Sequence, residues 1–133
     1  MGLDNGIIVK SNKRTVTRDM LPIGINYPFE KDYNGVEILY WRKNWGMRNE
    51  VMHTFHWDDE TYSGTIDTPA QVMTFIELIA GWLNEERWEE EGSSIWEYEE
   101  IRKILIQNII NLSILYTFMQ NNPDIYLEFY DSY

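Results

Sequence analysis

SIWEYEEIRKILIQNIINLSILYTFMQNNPDIYLEFY, residues 94–130, changes its period partway through, and that change decides the fold class. Ser94 followed three residues later by Glu97 is a capping box that starts a helix. Tyr98, Ile101, Leu105, Leu112, Leu115, Phe118 and Met119 recur at helical spacing, and Ile104, Ile109, Ile110 and Ile114 add apolar bulk on other sides. The spacing therefore predicts a long helix buried on more than one side. Asn121-Asn122-Pro123-Asp124 is a turn signal, and beyond it the period drops to two: Ile125, Leu127 and Phe129 face inward, Tyr126, Glu128 and Tyr130 outward. A helix followed directly by an alternating strand calls for a sheet elsewhere in the chain.

Working back from Ser94, Gly92 stops a preceding helix whose start is equally plain. Thr68-Pro69-Ala70-Gln71 combines an N-cap threonine, a proline at the first helical position and a glutamine three residues after the cap. Val72, Phe75, Ile76, Ile79 and Leu83 continue one face, widened by Trp82, to about Trp88 or Glu90. HWDDETYSGTID before it reads as loop with a short edge strand. Trp45, Arg48, Val51, Met52 and Phe55 fall at helical spacing after an Asn44 cap, giving a short helix to about His56.

Two strands complete the set. LDNGIIVK, residues 3–10, is β-branched, and VEILYWRK, residues 36–43, places Val36, Ile38 and Tyr40 on one face with Leu39 and Trp41 on the other, which predicts a central strand. Between them Pro22, Gly24, Pro28 and Gly35 punctuate a long irregular connection, of a length uncommon in compact domains unless it is functional or ordered by packing. The 133 residues thus predict a single α+β domain: a small, mostly antiparallel sheet packed against two long helices plus one short helix.

Charge is divided unevenly. Residues 1–57 hold eight Lys or Arg against six Asp or Glu, a net of +2, whereas residues 58–133 hold three against sixteen, a net of −13. Such a field disfavours nucleic acid and anionic membrane as direct partners, because phosphate binding needs cations. The absence of cysteine excludes disulfides, thiolate nucleophiles and iron–sulfur clusters. No apolar run reaches transmembrane length and no signal peptide is recognisable, so the expected location is the cytoplasm.

MGLD at residues 1–4, YWRK at 40–43, an acidic centre and the aromatic terminal strand from Tyr126 to Tyr133 resemble a family of small uncharacterised proteins of bacteriophage and prophage genomes. The resemblance implies a phage origin, hence a host cytoplasm, and no established activity. Members usually carry an Ile-His pair a few residues after YWRK, where this chain has Met47-Arg48.

Candidate sites are few, and no cofactor is expected. His53 and His56, three apart near a helix end, with Asp58 following, have the composition of a two-histidine, one-carboxylate metal site and would serve a metal-binding domain or metal-dependent hydrolase. The plainer reading of the same histidines is a favourable interaction with the helix dipole. Tyr40 to Lys43 suggests an aromatic–basic strip, against which stands the need of a two-faced strand for large packing residues. In the acidic run, Glu97, Glu99 and Glu100 lie in the first turns of a helix, where negative charge is favoured. Glu89, Glu90 and Glu91 close the preceding helix, where it is not. These three, with Trp88 and Trp96 as anchors, are the candidate contact for a protein partner with a basic surface, engaged by a non-enzymatic protein that imitates nucleic-acid charge. A third reading is an oligomeric accessory protein joined through exposed tyrosines and tryptophans.

Overall fold

The computed structural model describes residues 4–32, 35–42, 45–57, 63–85 and 95–132. The elements run β1 (Asp4–Ser11), β2 (Val36–Arg42), α1 (Trp45–Thr54), β3 (Ser63–Ile66), α2 (Pro69–Glu85), α3 (Ile95–Asn121) and β4 (Ile125–Ser132), with one 3₁₀ turn at Arg18–Met20. The four strands form one antiparallel sheet in the order β2-β1-β4-β3. This is the expected α+β architecture.

Alternation along the strands sends one set of side chains into a common core with the helices. Ile7 and Val9 of β1, Ile125, Leu127 and Phe129 of β4 and Ile66 of β3 meet Val72, Phe75 and Ile79 of α2 and Leu105, Leu112, Leu115 and Met119 of α3. An aromatic group lies at its centre: Trp41 and Phe75 stack at 5.9 Å, and Trp57 stacks on Phe129 at 5.7 Å. Gly64 lies directly under the Trp57 ring, where any Cβ would collide with it.

Helix α2 starts as its sequence requires. The Gln71 amide donates to Thr68 Oγ1 at 3.2 Å and the Thr68 amide donates to Gln71 Oε1 at 3.1 Å, a reciprocal cap. The Gly92 stop and the Ser94 cap lie outside the described residues. At the other end of α3, Asn122 Nδ2 donates to the Phe118 carbonyl at 2.9 Å, which gives one of the last free carbonyls a partner.

The placement of β2 corrects the sequence reading. It is an edge strand, not a central one, and β1 and β4 occupy the middle. Ile7 pairs with Leu39 but Ile8 pairs with Glu37, so Ile38 is an extra residue in the ladder. The bulge lets Val36, Ile38, Leu39 and Trp41 all enter the core and turns Tyr40 to the opposite face. Apolar residues on both nominal faces came from this irregularity and not from two covered faces.

The long connection after β1 is ordered by packing. Val16 and Leu21 are buried, and the Arg18 guanidinium lies 4.3 Å from the Tyr27 ring centre while pairing with Asp32 at 2.9 Å. Asn111 of α3 clamps it: its Oδ1 accepts from the Asn26 amide at 3.0 Å, and its Nδ2 donates to the carbonyls of Asn26 and Ile38 at 2.8 and 2.9 Å.

Candidate functional site

The helices cover one face of the sheet. On the other, the register sets Gly6 of β1 between Tyr40 of β2 and Tyr130 of β4. A Cβ on residue 6 would overlap the Glu37 carboxylate and the Tyr130 ring, so the bare backbone there is what lets the two approach. Tyr130 donates its hydroxyl proton to Glu37, and Tyr40 donates to Asp4 Oδ1 at 2.8 Å. Phe29, from the connection, sets its edge on Tyr40 with ring centres 4.9 Å apart.

Beside this cluster a cavity of about 390 Å³ opens between sheet and connection. Ile8 and Gly35 form part of its lining, and Lys10, Glu128, Glu37, Tyr130 and Ser132 enter from the strands, with Lys31 and Asp32 from the connection. The volume is within the range of clefts that take small ligands or a partner's side chain. Lys10 and Glu128 are paired at 3.2 Å. Glu37 has no basic group within ion-pair distance among the described residues. Burial therefore raises its carboxyl above the ordinary glutamate range, partly offset by the Tyr130 hydrogen bond and reinforced by the nearby Asp4 charge. Burial and the Glu37 contact push the Tyr130 phenol far upward, and burial with the Asp4 contact raises Tyr40, so both stay proton donors across the physiological range. The arrangement pairs each phenol donor with a carboxyl acceptor, Tyr130 with Glu37 and Tyr40 with Asp4, at the edge of the cavity.

A second polar group lies on the inner face at the same end of the sheet. Arg48 of α1 donates to Asp131 Oδ2 through Nη2 at 2.6 Å and Nε at 3.0 Å, with both side chains buried. Asn5 Nδ2 donates to Asp131 Oδ1 and to the Tyr130 carbonyl at 3.1 Å, leaving its own Oδ1 buried without a hydrogen bond. Met47 and Arg48, where the resembled family has Ile-His, are thus a core methionine and half of a buried ion pair.

The sequence candidates fare differently. His53 and His56 are both exposed at the end of α1, and His56 has a left-handed backbone with φ of 57°. Asp58 lies outside the described residues, among which no group of three His, Asp or Glu side chains is placed to hold a metal. Trp88, Glu89, Glu90 and Glu91 also lie outside them, and Trp96 is described only as a residue of α3. Trp41 and Trp82 are buried in the core, so neither is available as an exposed interface aromatic. No described helix is long and apolar enough to cross a membrane.

Sequence reasoning missed the cluster around Gly6. The alternation of IYLEFY does put Tyr130 and Glu128 outward, and a glycine inside a strand is a known mark of close approach. Which residues approach depends on cross-strand register, for which a single sequence carries no sign. Comparisons of the chain with family models, with curated proteins and with solved structures find no match.

Proposed function

We propose that this is a non-enzymatic binding protein that engages a partner bearing a basic surface, a host or phage protein in view of the resemblance to phage proteins. The observation that carries this reading is where the negative charge lies. Helix α2 ends at Glu85 with no basic residue in its last turn, and the chain continues into Glu86, Glu89, Glu90 and Glu91. Glu85, at the C-terminal end of α2, opposes the helix dipole by roughly a few tenths of a kcal/mol, so helix stability does not account for it. Of the first-half cations, Lys10, Arg14 and Arg48 take Glu128, Asp124 and Asp131 of the second half within 3.2 Å, and Arg18 takes Asp32. With those three carboxylates paired inside the fold, thirteen acids against three bases remain in residues 58–133 to draw a basic partner. Glu37, a half-buried carboxyl with no basic partner among the described residues, adds a second place where a lysine or arginine from a partner would be received.

The test is capture of partners from host lysate by the wild-type chain and by two variants, Glu89→Lys/Glu90→Lys/Glu91→Lys and Glu37→Gln. A specific partner that is retained by wild type, weakened by salt and lost on triple charge reversal supports the reading. Identical capture by wild type and the triple variant removes Glu89–Glu91 from the contact. Competition by double-stranded DNA for the same partner tests the charge-imitation form of the proposal.

A further inference from the structure

Helix α3 is covered by its own chain on one side and part of a second. Leu105, Asn108, Leu112, Leu115 and Met119 are buried against the sheet and α2, and Asn111 and Ile114 meet the connection at Asn26 and Gly24. The side pointing away from the core carries Ile106 and Ile110, 41% and 44% exposed. With Ile114 they form one row at four-residue spacing, the ridge by which helices most often pack on one another. Gly24 packs on Ile114 at the far end of that row, and Ile23 just before it is fully exposed.

Charge decides what fits it. From Ile101 to Pro123 the chain has no acidic residue, and its only charges there are Arg102 and Lys103, in a second half that otherwise averages more than one acid in five residues. A basic partner gains nothing on this face. A second copy of the same acidic chain is repelled at most approaches but not at this one. The row is also self-complementary: about a two-fold axis between residues 106 and 110, Ile106 of each copy meets Ile110 of the other. Lys103 then faces Ser113, and the two copies' Lys103 side chains are about 15 Å apart along the helix axis. We propose that two copies of this chain associate through an antiparallel α3–α3 contact centred on Ile106 and Ile110. A contact built on one helix ridge falls below the roughly 1,200 Å² of a stable interface, so dissociation is expected in roughly the ten-micromolar to several-hundred-micromolar range.

Sedimentation velocity and light scattering on the full chain, from about 5 to 500 µM, read the outcome directly. The mass should rise from 16.0 kDa toward twice that value with concentration, and more readily as salt screens the net charge of −11 on each copy. Ile110→Glu and Ile106→Glu should stay monomeric with unchanged circular dichroism, Ile110→Gln serving if the charge disturbs folding. Mixing Ile106→Glu with Ile110→Lys should restore a mixed dimer, because the two-fold pairs those positions. A monomer at the highest concentration, a dimer that survives Ile110→Glu, or no restoration in the mixture overturns the proposal. None of these outcomes depends on Glu89–Glu91, so failure here and failure of the basic-partner reading are separable.

Discussion

Glu37 is held half-buried with its proton favoured, and the sign of that preference sets a pH dependence. Because its folded value lies above its unfolded one, the folded state gains stability where Glu37 is protonated and loses it as pH rises through the folded value. At neutral pH the charge opposes folding. Glu37→Gln keeps an oxygen to accept from Tyr130 and removes the charge, so it should raise the melting temperature at pH 7 by roughly 1–3 °C, corresponding to about 1 kcal/mol at most for a half-exposed group. The difference should close on acidification to below the ordinary glutamate range. Thermal melts of both proteins from pH 3.5 to 8 would check it, and a lower melting temperature for Glu37→Gln at pH 7 would contradict the assignment. Arg48 and Asp131 present the opposite case, since each charge is buried with its partner. Asp131→Asn or Arg48→Met leaves one of them uncompensated and should cost about 3–5 kcal/mol in urea titration, while Arg48→Met/Asp131→Leu should cost less than either. Arg48 was placed by its spacing among the inward positions of α1, and it is there. Its partner, 83 residues away, has no signature in sequence.

Among the elements, those defined by local chemistry were legible and those defined by neighbours were not. The start of α2 follows from Thr68 and Gln71, two residues that hydrogen-bond to each other. The period change at Asn121 to Asp124 gave the end of α3 and the start of β4 within a residue. The position of β2 in the sheet was misjudged because a bulge at Ile38 mimics a strand buried on both faces. The length of the irregular stretch at residues 11–35 calls for an explanation, and Asn111 contributes one with three hydrogen bonds to Asn26 and Ile38. Asn111→Ala should cost about 2–3 kcal/mol, since it also strands the carbonyl of Ile38. Hydrogen exchange gives the specific readout: the Asn26 amide should lose protection while amides of the β1–β4 ladder exchange at a rate set by the global stability alone. Equal loss at both sites would mean that the clamp has no local role.

For the whole molecule, a net charge of −11 on 133 residues makes self-repulsion a global term. Raising sodium chloride from about 20 to 500 mM shortens the Debye length from roughly 20 Å to about 4 Å and should raise the melting temperature. Calorimetry in the two salts would show it, and an unchanged or lower value would mean that the attractive pairs outweigh the repulsion. The overall charge was legible from composition alone. Its distribution over the surface was not, because the four ion pairs that engage Lys10, Arg14, Arg18 and Arg48 reach partners by tertiary folding.

The strand order carries a consequence for how the chain is made. Of the four strands β1 leaves the ribosome first and β4 last, yet they are hydrogen-bonded neighbours along eight residue pairs, and among the described residues β3 has only β4 beside it. During synthesis β1 can pair with β2 and α2 can form on its cap, but half of the sheet waits for the last strand to emerge. Closure of the sheet therefore rests on contacts of long sequence separation, which slow folding. A nascent chain stalled before Ile125 would expose the apolar edges of β1 and β3 together, and any shortened product ending there would be a substrate for chaperones and proteases.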